Sequence, residues 1–291
     1  MILWLCLGVG LYFGMCYKLA DGLIHMPRSH PEKPSEFAVW QPVKDVNAWV
    51  TPSILDGKRE TVFVLCHGLG GNRGYYANTG LELQKRGYQV VILPMTGQDD
   101  NPSETVGFGP AESELIRQTV RALKAERTIL VGCSLGGAAA WLASDEPGVS
   151  AVVSDSAFAR LDEACEAWLK KDLPYGNILL RPVIWFGTAR VGVKPSEVNP
   201  VDTAKKWMIW GAQISELDEK GKPMGTPNLR RPALVIHGAE DRLFGKSNAE
   251  ALAKAAEADL WIVPDKGHAQ PVDDPGYVDR LIKLANSTAA S

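Results

Sequence analysis

Ser134 is the residue with the clearest potential for chemistry. It lies in the stretch GCSLGG, after the apolar run TILV at 128–131 and before the helix-like run LGGAAAWLA at 135–143. This matches G-x-S-x-G in the strand–turn–helix context that the motif requires. Its glycines leave room for a tight turn, and the start of the helix supplies free N–H groups and a positive dipole end. The stretch predicts a nucleophilic serine; the alternative is a glycine-rich turn that serves only packing.

A serine of ordinary pKa needs a base within hydrogen-bond reach, and the chain has five histidines. His25 and His30 lie in a proline-rich polar segment outside the predicted core. His67 and His237 each follow a predicted strand and precede a glycine, where we expect them to brace the adjoining loops. His268 lies in the polar loop DKGHAQP before the last predicted helix. We predict that His268 is the base; the alternative is a solvent-exposed loop histidine.

Short apolar strands alternate with amphipathic helices along most of the chain. Strands are predicted at 37–40, 46–50, 61–66, 89–93, 128–131, 151–154, 233–236 and 260–263. Helices are predicted at 112–125, 135–143, 161–169, 247–257 and 278–285. This order predicts a mostly parallel sheet with helices on both faces. Ligand sites in such sheets lie outside the carboxyl ends of the strands, so we expect the loops that carry Ser134 and His268 to converge there.

One interval breaks this alternation. Residues 155–232 separate the strands at 151–154 and 233–236, which is far more than the roughly a dozen residues that a crossover needs. The interval is rich in tryptophan and apolar runs, and it predicts a lid insertion at about 158–230 over the site. Within it, residues 207–225 lack helical periodicity and predict a hairpin or an extended excursion.

The N-terminus carries no charged side chain before Lys18. As a helix this apolar run covers about 26 Å, just enough to cross a bilayer. It lacks the basic start and small-residue cleavage site of a signal peptide. We predict a single-pass membrane anchor at 1–25 and a tether at 26–44; the alternative is a short apolar helix packed on the domain. The basic residues Lys18, Arg28 and Lys33 follow the run and favour a cytoplasmic domain.

The composition is that of a globular protein. The chain has 291 residues, 45% apolar and 22% charged, with a net charge of -3 and no basic block that favours nucleic acid. Its five cysteines include no C-x-x-C pair, which argues against a disulfide framework or a zinc ribbon and favours a reducing compartment. We therefore predict no metal, no cofactor and no nucleic-acid partner. The oligomeric state is left open.

Four stretches, taken in order, resemble the α/β-hydrolase superfamily. They are HGLGG at 67–71, GCSLGG at 132–137, HGAEDRLF at 237–244 and DKGHAQP at 265–271. The chain looks similar in particular to the monoacylglycerol-lipase and serine-aminopeptidase-like branch and its small membrane-anchored members. In those proteins an apolar N-terminus leads to a segment like LADGLIHMP. The resemblance implies an α/β-hydrolase domain at 45–290 and hydrolysis through a Ser-His-Asp triad.

The resemblance also implies the acid that orients the base. Asp241, in the stretch HGAED, matches the usual acid position of the superfamily and gives the chain order Ser, Asp, His. A carboxylate there would fix the tautomer of His268. Asp155 is the alternative acid, because some relatives carry the acid after the preceding strand. Glu240 and Asp265 are expected to be solvated loop charges.

An oxyanion hole is expected beside the serine. The backbone N–H of Leu135, directly after Ser134, is one predicted donor, and the resemblance implies the N–H of Leu69 in HGLGG as the second. A phosphate-binding loop is the alternative for HGLGG, but the stretch lacks G-x-G-x-x-G spacing and a Walker lysine. Relatives usually carry Asp-aromatic-Arg-Gly after the strand at 89–93, whereas residues 94–99 read PMTGQD. Because that loop typically supports the oxyanion loop, its geometry and the substrate preference are expected to differ here.

Together these residues predict a serine hydrolase that works through an acyl-enzyme. Ser134 would attack a carbonyl, His268 would move the proton and Asp241 would orient His268. The apolar N-terminus and the tryptophan-rich insertion favour an apolar acyl substrate, such as a lipid ester or a monoacylglycerol. Peptidases, thioesterases and haloperoxidase-like enzymes share the triad. A non-catalytic membrane-tethered binding protein is a further alternative.

Overall fold

A single sheet forms the centre of the molecule in a computed structural model of the chain. The structure describes residues 2–57, 59–171, 175–213 and 231–289. Eight strands lie within these residues: β1 (Ala38–Val43), β2 (Val46–Val50), β3 (Thr61–Cys66), β4 (Gln89–Leu93), β5 (Arg127–Cys133), β6 (Val149–Asp155), β7 (Ala233–Gly238) and β8 (Asp259–Val263). Their spatial order is β1-β2-β4-β3-β5-β6-β7-β8. The pairs β1–β2 and β2–β4 are antiparallel and the other pairs are parallel, which confirms the predicted mostly parallel sheet.

Helices cover both faces of this sheet. The described helices are α1 (Ile2–Ile24), α2 (Ala77–Lys85), α3 (Pro110–Leu123), α4 (Leu135–Leu142), α5 (Leu161–Lys171), α6 (Gly176–Leu179), α7 (Arg181–Arg190), α8 (Pro200–Gln213), α9 (Ser247–Ala256) and α10 (Tyr277–Ala289). Successive side chains of β3 alternate between two core clusters. Phe63 and Leu65 pack with α2 and α10, whereas Val62 and Val64 pack with α3, α4, α8 and α9. The predicted arrangement of a mostly parallel sheet with helices on both faces is therefore confirmed.

Helices α5 to α8 lie between β6 and β7, in the interval predicted to be a lid insertion. Trp207 of α8 is buried and meets Trp141 of α4 edge to face, with ring centroids 6.3 Å apart. Helix α8 therefore belongs to the core, and the hairpin expected from residue 207 is wrong as far as residue 213. Tertiary packing of Trp207 stabilises a helix that its own periodicity does not indicate. Residues 214–225 lie outside the described residues.

The apolar N-terminus forms helix α1. Among the residues that the structure describes, no helix is both long and apolar enough to span a membrane, so the predicted transmembrane helix is not supported. Side chains near the start of α1, such as Trp4 and Leu11, are exposed, whereas Cys16 and Ala20 pack against Val183 of α7. Attachment of the chain to a membrane, and the side on which the domain lies, stay predictions.

The segment expected to be a tether packs on the domain at several points. Arg28 donates to the carbonyl oxygens of Asn101 and Ser103. His30 contacts the carboxylate of Asp100, and β1 follows a few residues later. The segment therefore runs over the loop after β4, close to the edge of the sheet where the polar loops converge.

Candidate active site

Ser134 lies on a strained turn between β5 and α4. Its φ of 51° and ψ of -117° lie outside the regions that residues with a side chain readily adopt. A Cβ at Gly132 would lie 2.2 Å from the carbonyl oxygen of Gly136, and a Cβ at Gly136 would lie 2.2 Å from that of Cys66. No side chain fits at either position, so the two glycines permit the turn that holds the serine.

The hydroxyl of Ser134 is hydrogen-bonded to His268. Oγ of Ser134 lies 3.0 Å from Nε2 of His268, and Nδ1 of His268 lies 2.8 Å from Oδ2 of Asp241. With the Nδ1 proton donated to the carboxylate, Nε2 is left to accept the proton of the hydroxyl. The loops after β5, β7 and β8 thus bring the predicted nucleophile, base and acid into one hydrogen-bonded line.

Asp241 is fixed by its own loop. Its Oδ1 accepts the N–H groups of Leu243 and Phe244 at 2.8 Å and 2.9 Å, and its side chain is 1% exposed. Burial by itself would raise the pKa of this carboxyl, but the hydrogen bond and charge of His268, with the two amides, outweigh burial and lower the pKa. Asp241 is therefore an ionised carboxylate held in position to orient the imidazole.

Asp155, the alternative acid, has a different partner. Its Oδ1 accepts the hydroxyl of Ser156 at 2.9 Å, and complete burial raises the pKa of the carboxyl to about 7. Oγ of Ser156 in turn accepts the N–H of Ala269, which follows His268, at 3.3 Å. Asp155 therefore reaches the loop of His268 through Ser156, whereas the carboxylate that contacts the imidazole is that of Asp241.

The loop that carries Leu69 lies against the turn that carries Ser134. A Cβ at Gly68 would lie 3.0 Å from Cβ of Ser134, so this close approach favours a glycine. Leu69 and Leu135 line the same cavity as Ser134. The N–H of Leu135 lies in the first turn of α4, where helical N–H groups have no carbonyl partner in the helix. This arrangement is compatible with the two predicted oxyanion donors.

The loop after β4 contacts the loop that carries Leu69 through side chains that sequence reasoning missed. Gln98 accepts the N–H of Gly70. Arg73 pairs at two points with Asp99: Nε lies 2.8 Å from Oδ2, and Nη2 lies 2.9 Å from Oδ1. Gln98 and Asp99 stand where the resemblance implies Asp-aromatic-Arg-Gly, and they contact Gly70 and Arg73. In the sequence, a polar loop directly after a strand was the signal for such residues. The partners of Gln98 and Asp99 became evident only in the fold.

His67 and His237 support loops. Nδ1 of His67 donates to the carbonyl oxygen of Gly68 at 2.9 Å, and its Nε2 accepts the N–H of Met95 at 3.2 Å. Burial lowers the pKa of His67 to about 4, so its imidazole is neutral near pH 7. Nε2 of His237 donates to the carbonyl oxygen of Phe244 at 2.9 Å, in the loop after β7. His67 thus joins two loops and His237 braces the loop after its own strand, in agreement with the bracing role predicted from the sequence. Both lie at the edge of the sheet that carries Ser134 and His268, which we call the active edge.

An apolar cavity of about 260 Å³ contains Ser134 and His268 in its lining. Most of its wall comes from α1 and the residues just after it, from α5 and α7, and from the loops after β6 and β7. These parts contribute Leu23, Met26, Phe158, Leu161, Ala164, Cys165, Trp168, Ile184, Thr188, Leu243 and Phe244. In the part of the chain that the structure describes, no Asp, Glu, Lys or Arg lines this cavity. The space beside the serine therefore suits an apolar group.

Cys133 precedes Ser134 but packs in the core with Tyr76 and Tyr277. Burial raises the pKa of its thiol well above the usual range, which makes the reactive thiolate unfavourable. Within the described ranges, no group of three His, Cys, Asp or Glu side chains could hold a metal ion. Ser134, His268 and Asp241 therefore stay the candidate reactive groups at this edge of the sheet.

Comparisons with known proteins agree with this fold. Residues 63–280 match the model of the alpha/beta hydrolase family. An esterase from Pyrococcus furiosus is 17% identical with a TM-score of 0.66, and the match covers 91% of this chain and 98% of that chain. A hydrolase from Oleispira antarctica is 14% identical with a TM-score of 0.58, covering 84% and 96%. A membrane phospholipase A, described as a bacterial virulence factor, is 18% identical with a TM-score of 0.54, covering 100% and 97%.

Identities this low show a shared fold and nothing finer. A search of the curated proteins found no match to this chain. The family model, however, extends from β3 into α10 and includes every loop that converges at the active edge. The chain therefore belongs to the alpha/beta hydrolase family.

Proposed function

We propose that this hydrolase cleaves carboxylic esters through a serine nucleophile and an acyl-enzyme. Oγ of Ser134 attacks the carbonyl carbon while its proton passes to Nε2 of His268, and the oxyanion accepts the N–H groups of Leu69 and Leu135. His268 then protonates the leaving alcohol as the C–O bond breaks. A water molecule attacks the acyl-serine in the same way, which releases the carboxylic acid and restores Ser134. Asp241 holds the imidazole and stabilises its cationic form.

One observation carries this proposal: the continuous hydrogen-bonded line from Ser134 through His268 to Asp241, with separations of 3.0 Å and 2.8 Å. Serine hydrolases need this line because the hydroxyl is a weak nucleophile unless a base removes its proton. A non-catalytic binding protein would need neither such a line nor the strained turn that holds the serine.

The cavity supports an apolar acyl group as the part of the substrate held beside Ser134. Its described lining carries no carboxylate that could receive the ammonium group of a peptide N-terminus, which argues against an aminopeptidase. A thioesterase is the second candidate, because its acyl group would occupy the same apolar space. We propose a lipid ester as the substrate, in keeping with the resemblance of the sequence to the monoacylglycerol-lipase-like branch. An esterase and a membrane phospholipase A share the fold of this chain.

A substrate panel tests this proposal. We expect p-nitrophenyl esters of medium-chain acids to be hydrolysed with kcat/KM at least about tenfold above that for the corresponding acyl-coenzyme A thioesters and for aminoacyl p-nitroanilides. A reversed order would assign a thioesterase or a peptidase. The variant His268→Ala is the control for activity from a contaminating esterase, because it removes the base.

A further inference from the structure

The side chains of helix α1 differ in exposure along its length. Several side chains of its first half are exposed, such as Trp4 at 75% and Leu11 at 68% of the full accessible surface. In its last turn Leu23 and Ile24 are buried, and they belong to the same apolar cluster as Leu135 and Phe158 beside Ser134. The end of the helix is therefore built into the active edge, and its exposed start is not.

Contacts with α7 hold this end of α1 in place. Asp21 pairs with Arg190, with Oδ1 and Nη2 2.7 Å apart, and the guanidinium also stacks over Tyr17 at 4.8 Å. The two helices approach closely at Gly187, where a Cβ would lie 3.4 Å from a methyl group of Leu23. Helix α7 also lines the cavity, so the pair forms one wall of it.

A second set of contacts fixes the chain just after α1. The carbonyl oxygen of Ile24 accepts the N–H of Val106 at 3.0 Å, and Arg28 donates to two carbonyl groups of the loop after β4. Between these two points lies Met26, whose terminal methyl group is 3.2 Å from the position that a Cβ on Gly70 would take. Met26 therefore rests directly on the loop that carries Leu69.

We propose that the N-terminal segment forms part of the substrate site, in which Leu23 and Met26 determine the acyl chain length that the enzyme accepts. This rests on the proposed esterase function. Both residues line the cavity that contains Ser134 and His268. Both side chains are apolar and take no part in the hydrogen bonds that join Ser134, His268 and Asp241, so we expect them to act on binding of the acyl chain.

The physical reason is the match between apolar volume and chain length. One methylene group in a hydrophobic pocket changes discrimination between substrates by about 10- to 200-fold. A smaller side chain at position 23 lengthens the space available to an acyl chain, and a larger one shortens it. Because the wall belongs to a segment separate from the core strands, its size can vary without changing the nucleophile.

The experiment compares kcat/KM for p-nitrophenyl butyrate and p-nitrophenyl dodecanoate in the full-length protein. The ratio of dodecanoate to butyrate is expected to rise about tenfold in Leu23→Ala and in Met26→Ala, and to fall about tenfold in Leu23→Phe. Leu11→Ala, an exposed position on the same helix, is the matched control and should keep the wild-type ratio. Thermal unfolding of each variant identifies any that fails to fold. If the Leu23 variants do not fold, Met26→Ala still tests the inference, because Met26 is only half-buried.

Ratios within about twofold of the wild type in both Leu23 variants and in Met26→Ala, with Ser134 still labelled by a fluorophosphonate, would overturn this inference and leave the proposed function standing. Absence of labelling and of turnover in the wild type would instead refute the proposed function. In that case binding of cis-parinaric acid, a fluorescent fatty acid, tests whether Leu23 lines a site for an acyl chain. Leu23→Phe should weaken its binding about tenfold, and unchanged binding would overturn the inference.

Discussion

Arg73 and Asp99 form a buried two-point ion pair beside the loop that carries Leu69. The backbone N–H of Arg73 also donates to the same carboxylate at 2.8 Å, and the guanidinium lies 4.6 Å from the ring centre of Trp49. The pair thereby joins the segment after the loop that carries Leu69 to the loop after β4, and Arg73 also contacts the antiparallel edge of the sheet at Asn47 and Trp49. Gln98, next to Asp99 in the chain, joins the same two loops by accepting the N–H of Gly70.

Replacement of Asp99 by Ala should strongly destabilise the protein. Among the residues that the structure describes, it leaves the buried Arg73 guanidinium only Asp100, which is 41% exposed, as a carboxylate partner. Removal of one member of a buried pair costs roughly 3–5 kcal/mol of the free energy of unfolding, measured here by urea titration. The control is Asp279→Ala, which removes the exposed pair with Arg86 and should cost at most about 1 kcal/mol. Equal losses in the two variants would show that the buried pair contributes no special stability.

Gln98 is expected to support the oxyanion donor of Leu69 through the N–H of Gly70. Gln98→Leu removes the acceptor, and we expect kcat to fall about 10- to 100-fold with little change in KM, less than direct loss of an oxyanion donor. Gln98→Glu keeps an acceptor oxygen and should retain most of the rate. An increase in KM at constant kcat in Gln98→Leu would mean that this loop acts on substrate binding instead.

The two buried carboxylates should differ sharply in their effect on rate. Asp241→Asn changes the tautomer that the acid imposes on His268, and kcat/KM should fall by roughly 10⁴-fold with the fold retained. Asp155→Asn keeps an oxygen for Ser156 and should reduce kcat/KM by less than about tenfold. Ester hydrolysis by the two purified variants separates these outcomes, and the opposite order would make Asp155 the catalytic acid.

Asp155 should make the protein less stable as the pH rises. The pKa of its carboxyl is about 7 in the folded state, above the ordinary value, so the folded state binds the proton more tightly than the unfolded state. Its contribution to the free energy of unfolding is therefore largest below about pH 4 and falls until about pH 7. In Asp155→Asn this loss is absent, so the stability of the variant relative to the wild type should increase over that range by a few kcal/mol.

The contribution of His67 to the free energy of unfolding changes with pH in the opposite direction over the same range. Burial lowers the pKa of its imidazole to about 4, so its contribution to stability is lost as the pH falls from about 6.5 to 4. Because His67 is present in both proteins, subtraction of wild-type from Asp155→Asn unfolding free energies removes its effect. Urea titrations at pH 4, 5.5, 7 and 8 give this difference, and a flat difference would contradict a buried Asp155 that titrates near neutral pH.

Much of the fold could be predicted because each buried strand is a short apolar run that ends in turn-forming residues. The runs at 61–66 and 89–93 coincide with β3 and β4. The residues that meet at the active edge were predictable for the same reason, since the carboxyl ends of parallel strands lie together. Whether Ser134, His268, Asp241 and the two leucine amides perform catalysis stays a prediction that the experiments address.

The contacts around the N-terminus could not be predicted in the same way. An apolar run of this length fits a bilayer and a protein surface equally well, because hydropathy does not identify the apolar partner. The burial of Leu23 and Ile24, and the exposure of Leu11, depend on where α7 lies. Pairing of Arg73 with Asp99 likewise depends on the register of β3 and β4, which brings together two loops distant in sequence.

Covalent labelling of Ser134 tests the central claim most directly. A fluorophosphonate should form one adduct on the wild-type protein, located at Ser134 by peptide mass spectrometry, and none on a folded Ser134→Ala variant. His268→Ala should be labelled at least about 100-fold more slowly, because the base no longer accepts the hydroxyl proton. An adduct at another residue, undiminished labelling of Ser134→Ala, or no adduct on the folded wild type would contradict a serine nucleophile at this site.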